Sequence, residues 1–365
     1  VTTAVQPATF SQLTTLGVGG PAGRLVETTT EAELIDAVRT ADAEGTPLLV
    51  LGGGSNLLVS DAGFDGVVVR DVRQDLTTPD HSACAGVTVT AVAGTVWDDV
   101  VAHAAAHRLK GIEALSGIPG STGATPVQNV GAYGQEVAQT IATVRVWDRQ
   151  RNRVRTLPLF DLQFGYRTSL LKRSMRALPD GTDPGAPWYP TPRYVVLDVT
   201  FQLRVAQLSE PVVYPELARE LGIAVGERAL LPDVRAAVLA LRGRKGMVLD
   251  PADPDTRSAG SFFTNPVLPA ADADALLPEG APRYPAGDGL VKSSAAWLIE
   301  QAGFGKGFGL PGPAAVSTKH SLALTNRGGA NAGDVLSLAR TVRDGVAQRF
   351  GITLEPEPVL VGATL

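Results

Sequence analysis

Leu34, Val38 and Ala41 recur at the spacing of one helix face, and their stretch opens on Thr30-Glu31-Ala32-Glu33. That opening is a capping box: a threonine oxygen for the N–H three residues on, and a glutamate that returns the bond. Gly45 supplies the stop. The pattern then becomes an unbroken apolar run, Leu48 to Leu51, which predicts a buried strand halting at Gly52-Gly53-Gly54. Val67 to Val69 predicts another strand, so the first segment reads as a small α/β unit.

Period-two patterning takes over next, with Val87, Val89, Ala91 and Ala93 alternating with more polar positions. Thr95 with Asp98 predicts the cap of a helix carrying Trp97, Val100, Val101 and Ala104, ending near Gly111. A Gly- and Pro-punctuated loop follows, from Ser116 to about Gly134. Strand signals return at Val144 to Trp147 and peak in the strict alternation of Val195, Leu197, Val199, Phe201 and Leu203. Between them, Pro179 to Pro192 reads as a surface insertion. Beyond residue 206, Pro232 starts a helix carrying Val234, Val238 and Leu241, with Arg242, Arg244 and Lys245 at its cationic end. Ser294 to Gln301 predicts a short helix buried through Trp297, Leu298 and Ile299. Asn331 and Asp334 cap a longer one striped by Val335, Leu338, Val342 and Val346. These changes divide an α+β chain into segments 1–75, 76–205 and 206–365.

A chain of 365 residues, 44% of them hydrophobic, can bury two or three cores. No stretch approaches the ~20 consecutive apolar residues of a membrane helix, and VTTAVQPATF lacks the basic and apolar regions of a secretory signal. The single cysteine, Cys84, cannot pair within the chain, which fits a reducing, cytoplasmic compartment. Net charge is −5 and the basic residues are dispersed, which argues against a nucleic-acid partner; no obligate protein partner is indicated either. His103 and His107 stand four apart, but the glutamate of a metalloprotease HExxH and a third ligand are missing. They read as a polar helix face, and no metal is expected.

Two glycine-rich segments carry the candidate chemistry. Leu51, Gly52, Gly53, Gly54, Ser55, Asn56 and Leu57 follow a buried strand, where side-chain-free backbone can approach a ligand and turn its N–H groups on a diphosphate. No Gly-Lys-Ser/Thr follows, so this is no Walker A loop. The second segment contains Ser116, Gly117, Ile118, Pro119, Gly120, Gly123, Thr125, Pro126, Gln128, Asn129, Gly131, Ala132, Tyr133 and Gly134. It is too long and too apolar for a hairpin and too patterned for a linker, and a large planar polar cofactor could satisfy its backbone. Gly17-Val18-Gly19-Gly20-Pro21-Ala22 superficially fits a dinucleotide fingerprint, but no apolar strand precedes it and Pro21 breaks the turn.

These segments, with Gly165-Tyr166-Arg167-Thr168-Ser169, Ala259-Gly260-Ser261-Phe262-Phe263-Thr264-Asn265-Pro266, Tyr284-Pro285, Asp288-Gly289-Leu290-Val291-Lys292 and Leu354-Glu355-Pro356-Glu357, strongly resemble the UDP-N-acetylenolpyruvoylglucosamine reductases of peptidoglycan precursor synthesis. Similar segments run in order from about residue 12 to the C-terminus. The resemblance implies a FAD-binding fold of the vanillyl-alcohol-oxidase type in segments 1–75 and 76–205. It also implies a substrate domain in 206–365 whose tail returns to the active site, and NADPH as hydride source. Tyr214-Pro215-Glu216-Leu217 resembles the longer subtype with a substrate-closing tyrosine.

The chemistry agrees with that resemblance. Hydride added to the methylene carbon of an enolpyruvyl ether drives charge toward the conjugated carboxylate as an enolate, so one group must hold charge and another must supply a proton. The resemblance gives Arg167 and Glu357 the first task and Ser261 the second. A guanidinium is a permanently charged fork that matches a carboxylate. Glu357 helps only while it holds or shares a proton, and a serine hydroxyl needs help from neighbours. Lys245 has the charge for a diphosphate, and Tyr166, Tyr214, Asn265, Tyr284 and Lys292 match substrate contacts of the family. His320 stands where some members have Gln, and Val359 where an arginine is expected. Two other readings remain open: a related flavin-dependent oxidase, weakened by the lack of a His or Cys for covalent flavin attachment in either glycine loop, and a non-catalytic flavin-binding module.

Overall fold

The computed structural model describes residues 8–82, 86–175 and 188–365. Cys84, residues 1–7 and most of the Pro-rich stretch lie outside them. The chain forms two compact units interleaved along the sequence: among the described residues, Ala8, 22–53 and 65–243 in the first, and 9–21, 54–64 and 244–365 in the second. These units cut the chain elsewhere than the expected boundaries at 75 and 205. Residues 206–243 stay with the first unit because Val212, Leu217, Ala218, Val234, Val238 and Leu241 form one core with Ala114.

In the first unit, Arg24–Thr28, Val67–Asp71 and Leu48–Leu51 form a parallel sheet in that order. Helix Glu31–Glu44 shares its core through Leu34, Val38 and Ala41. The capping box at Thr30 is present, and Gly45 ends the helix at φ 66°. A second, antiparallel sheet orders Arg153–Pro158, Ile141–Asp148, Tyr194–Val205, Gly86–Val92 and Leu76–Ser82.

The expected single face of Val195 to Leu203 is split. Arg145 pairs with Asp198 but the next residue, Val146, pairs with Val196, so Leu197 is an extra residue, a bulge that reverses the side-chain alternation. Val195 and Leu197 therefore enter the core of the parallel sheet, while Val199, Phe201 and Leu203 enter that of the antiparallel one. One strand serves two cores.

Helix Trp97–Ala106 buries Trp97, Val100, Val101 and Ala104 as expected, but it stops well before Gly111. Leu109–Lys110 has already turned to pair with Arg204 and Val205. At the end of the helix the rings of His103 and the C-cap residue His107 stack at 4.0 Å. His103 is half-buried rather than simply on a polar face, and that burial, with His107 beside it, lowers its pKa.

The second unit packs helices Ala270–Leu276, Ala295–Gln301 and Ala332–Phe350 on small sheets. Ser258–Ser261, Ala323–Asn326 and Ala314–Val316 form one; Val267–Pro269, Leu290–Lys292 and Tyr284–Pro285 another; Val359–Val361 lies parallel to Leu57–Val59. The last helix carries the expected cap at Asn331 and the buried stripe of Val335, Leu338, Val342 and Val346. The rejected fingerprint at residues 17–22 opens no helix: strand Arg24–Thr28 follows it. No helix among the described residues is long and apolar enough to cross a membrane.

Candidate active site

The two glycine segments meet in the first unit, backbone against backbone. A Cβ at Gly53 would lie 2.6 Å from Gly120 Cα, and one at Gly52 would lie 2.5 Å from Ser121 Oγ. Only glycine permits the approach at Gly53. The second segment is no irregular loop. The Gly120 carbonyl accepts from Trp97 N–H (3.0 Å), Thr122 N–H donates to the Thr95 carbonyl (2.8 Å) and Gly123 N–H to that of Ala93 (2.8 Å). A helical turn, Thr125–Gln128, carries Pro126 in its first turn, where its missing N–H costs nothing. Asn129 follows at φ 48°, and Gly131–Ala132 pairs with Gln135–Glu136 across a turn at Tyr133 and Gly134. Ser116 is buried, its hydroxyl donating to the Glu113 carbonyl at 2.7 Å.

These residues fit a dinucleotide diphosphate. Among the described residues, the N–H groups of Gly53 and Gly120 donate to no protein acceptor, and the two residues are in contact. Neighbouring backbone amides with no protein acceptor are what an anionic group requires. Two of the expected cofactor contacts also bond within the protein: Gln128 Oε1 accepts from Lys172 Nζ (2.6 Å), and the Asn129 side-chain amide donates to Glu136 (3.0 Å) and to the Gly165 carbonyl (2.9 Å).

Thr95 and Asp98 do not cap the helix they open. Val96 is the cap residue and, lacking a polar side-chain atom, makes no side-chain cap bond; the two expected capping residues are engaged elsewhere. The Thr95 hydroxyl donates to the Asp75 carbonyl at 2.9 Å. Asp98 accepts from Gly117 N–H at 2.6 Å and takes both terminal nitrogens of Arg235 at 2.7 Å each. Burial pushes the Asp98 pKa up, but the Arg235 and Gly117 donors outweigh it and the net shift is downward. Arg242 donates from Nε to the Gly117 carbonyl at 3.2 Å and is buried, not an exposed helix end. Burial weakens its hold on its proton. Sequence reading missed this frame around Gly117. Its one legible trace is that Arg235 and Arg242 lie seven apart, on one face of helix Leu231–Arg244.

Arg167 occupies the second central position of a tight turn, with φ 53°, between Gly165 and Thr168, whose backbones exchange hydrogen bonds of 3.0 and 3.2 Å. Its guanidinium donates to the carbonyls of Gly131 (2.7 Å) and Asn129 (3.3 Å) and stands 5.4 Å from the Tyr166 ring centroid. Arg167 and Tyr166 are thereby joined to the second glycine segment. Tyr214 precedes helix Pro215–Leu221, is 41% exposed, and meets Tyr133 edge-on at 5.3 Å.

In the second unit, Ser261 ends strand Ser258–Ser261 opposite Ala323, just after Gly260 at φ 72°. The chain continues into Phe262-Phe263-Thr264, which pairs with the tail. Glu357 N–H donates to the Phe262 carbonyl (2.8 Å), Phe263 bridges Pro356, and Thr264 N–H donates to the Glu355 carbonyl (3.0 Å). Ser261 and Glu357 thus sit on adjoining paired segments. Asn56 ties in the end of the first glycine segment, its amide donating to the Glu357 carbonyl at 3.4 Å. Leu57 lies opposite Val359 in the parallel pair, so the residue at the expected arginine position continues that short ladder.

The remaining expected contacts are spread over this unit. Asn265 accepts from Ala295 N–H (2.9 Å), at the start of helix Ala295–Gln301. Tyr284, 51% exposed, pairs with Lys292. Lys245 follows helix Leu231–Arg244, and His320 N–H donates to Ser317 Oγ (3.2 Å) in the turn between two strands.

A family model described as UDP-N-acetylenolpyruvoylglucosamine reductase, C-terminal domain, matches residues 251–361, and one described as FAD binding domain matches residues 22–157. A UDP-N-acetylenolpyruvoylglucosamine reductase of Thermobifida fusca is 53% identical over 98% of this chain and 97% of its own length. One of Cutibacterium acnes is 54% identical over 98% of this chain and 90% of its own. Among solved structures, the reductase of that name from Thermus caldophilus aligns with a TM-score of 0.63 at 27% identity, covering 99% of this chain and 100% of that one.

Proposed function

This chain belongs to the UDP-N-acetylenolpyruvoylglucosamine reductase family, and on that premise we propose that it reduces the enolpyruvyl group of a UDP-N-acetylglucosamine ether to the lactyl ether of UDP-N-acetylmuramate. FAD, recharged by NADPH, supplies the hydride to the methylene carbon when bound. The glycine segments 51–57 and 116–134 hold FAD in this reading, and residues 244–365 supply most of the substrate contacts.

The protein's own groups do the rest. Gly53 and Gly120 offer amides to the FAD diphosphate. Arg167 receives the carboxylate as charge accumulates on it, and a fixed cation there costs no reorganisation during the reaction. Glu357, carrying or sharing a proton, takes part of the same charge. Ser261 delivers a proton to the carbon bearing the carboxylate. Tyr166, Asn265, Tyr284, Lys292 and His320 contact the substrate, Lys245 meets its diphosphate, and Tyr214 closes over it.

One observation supports pairing these two residues: Glu355-Pro356-Glu357 is hydrogen-bonded along Phe262-Phe263-Thr264, which brings the backbone of Glu357 alongside the residue that follows Ser261. Anaerobic half-reactions test it. Ser261→Ala should let NADPH bleach the flavin at the wild-type rate while recovery of absorbance on adding the enolpyruvyl UDP-sugar falls by orders of magnitude. Normal recovery would remove Ser261 as proton donor. Recovery with oxygen alone in the wild-type protein would favour the oxidase reading.

A further inference from the structure

We propose that Lys172 is a positioning residue for Arg167, holding the arginine's strained backbone in place before substrate arrives. The proposal rests on the role given to Arg167 above.

A non-glycine residue at φ 53° is disfavoured by contact between its Cβ and the neighbouring carbonyl. In a four-residue turn the second central position with positive φ belongs to glycine or asparagine. An arginine persists there only if its surroundings over-determine it, and such strain collects at functional positions. Three sets of bonds do so here. Gly165 and Thr168 close the turn through two backbone hydrogen bonds. Asn129, itself left-handed and buried, fastens the near end by donating to the Gly165 carbonyl at 2.9 Å. Lys172 fastens the arginine itself: its Nζ donates to the Arg167 carbonyl at 3.3 Å and to Gln128 Oε1 at 2.6 Å.

Lys172 is placed for this by its own short helix, Leu170–Arg173. Ser169 starts that helix by accepting from Lys172 N–H (3.1 Å) and anchors it by donating to the Val127 carbonyl (2.8 Å). The ammonium therefore bridges the turn that carries Arg167 and the helical turn Thr125–Gln128. The guanidinium is meanwhile held at the carbonyls of Asn129 and Gly131, just beyond that same helical turn. Backbone and side chain of Arg167 are referenced to one segment. Removing the ammonium frees the carbonyl to rotate, and the turn can then relax toward negative φ, which carries the guanidinium away from its seat.

The test is a double-mutant cycle on the FAD-loaded enzyme, read as anaerobic half-reactions. Lys172→Met keeps the aliphatic stem and drops the donor. Recovery of flavin absorbance on adding the enolpyruvyl UDP-sugar should slow about 10-fold, the scale of one lost charge-assisted bond, with bleaching by NADPH and FAD content as in wild type. Lys172→Arg, which restores a cationic donor, should regain most of the rate. In an Arg167→Ala background, Lys172→Met should add no further loss, because it acts through the arginine. A full additional loss in that background would overturn the proposal, as would equal slowing of both half-reactions or a wild-type rate in Lys172→Met. A wild-type rate in Arg167→Ala would instead sink the role of Arg167, and the proposal with it, so the two failures are distinct.

Discussion

Replacing Gly53 with alanine isolates the contact on which the cofactor assignment depends. The added methyl would sit 2.6 Å from Gly120 Cα and 3.1 Å from its carbonyl carbon. Carbon atoms rest about 3.5–4.0 Å apart, so the two backbones must separate by roughly 1 Å. Gly120 cannot yield freely, because its carbonyl is bonded to Trp97 N–H at the head of a buried helix. Overpacking of this kind costs about 1–3 kcal/mol. Gly52→Ala is the control: its methyl meets the Ser121 hydroxyl, while Ser121 Cβ is already at 3.6 Å, so a rotation about one bond relieves it. That change costs at most about 0.5–1.5 kcal/mol. Urea unfolding of the two apoproteins should therefore rank Gly53→Ala clearly below Gly52→Ala. Because the separation also parts the amides of Gly53 and Gly120, FAD should bind more weakly to Gly53→Ala. The full strain corresponds to about 5- to 150-fold in dissociation constant, measurable by flavin fluorescence. If the two variants match in unfolding midpoint and in FAD affinity, the backbone contact is not what holds the loops together.

Two further outcomes follow from the hydrogen-bond geometry. Asp98 holds its proton more weakly in the folded chain than in the unfolded one, so its ionised form stabilises the fold above the carboxylate range, and that contribution is lost as pH falls through its lowered native value. Asp98→Asn should reduce stability at neutral pH by about 1–3 kcal/mol, with the gap to wild type closing in acid; a constant gap in pH-dependent urea melts would contradict the ion pair as its source. Asp61 accepts from Ala332 N–H (2.7 Å) and Gly333 N–H (2.9 Å) at the start of helix Ala332–Phe350. Asp61→Ala should cost about 1–2 kcal/mol and speed amide exchange in that first turn; unchanged exchange there would show that Asn331 alone suffices.

Sequence by itself determined whatever is decided within one turn or one strand. The capping boxes at Thr30 and Asn331, the glycine stop at Gly45 and the helix stripes depend on residues three or four apart, so period and residue type disclose them. The glycine segments were legible for a similar reason, since a run free of side chains has few uses, and their resemblance to one family supplied the chemistry. Tertiary structure decided what depends on partners far along the chain. Thr95 and Asp98 have the composition of a cap, yet Asp75, Gly117 and Arg235 compete for them and win. The alternation from Val195 to Leu203 predicts one buried face, but a bulge at Leu197 divides it between two cores, and a one-residue insertion in pairing register leaves no mark on hydrophobicity. The left-handed Arg167 was equally invisible. Its conformation is unfavourable locally and is held by Asn129 and Lys172, so propensity could only have argued against it. Residues 54–64 join the C-terminal unit because Leu57–Val59 needs a partner strand, and Val359–Val361, some three hundred residues later, provides it. Local pattern fixes which elements form; the packing of distant elements fixes which polar groups are left to bind, hold and react.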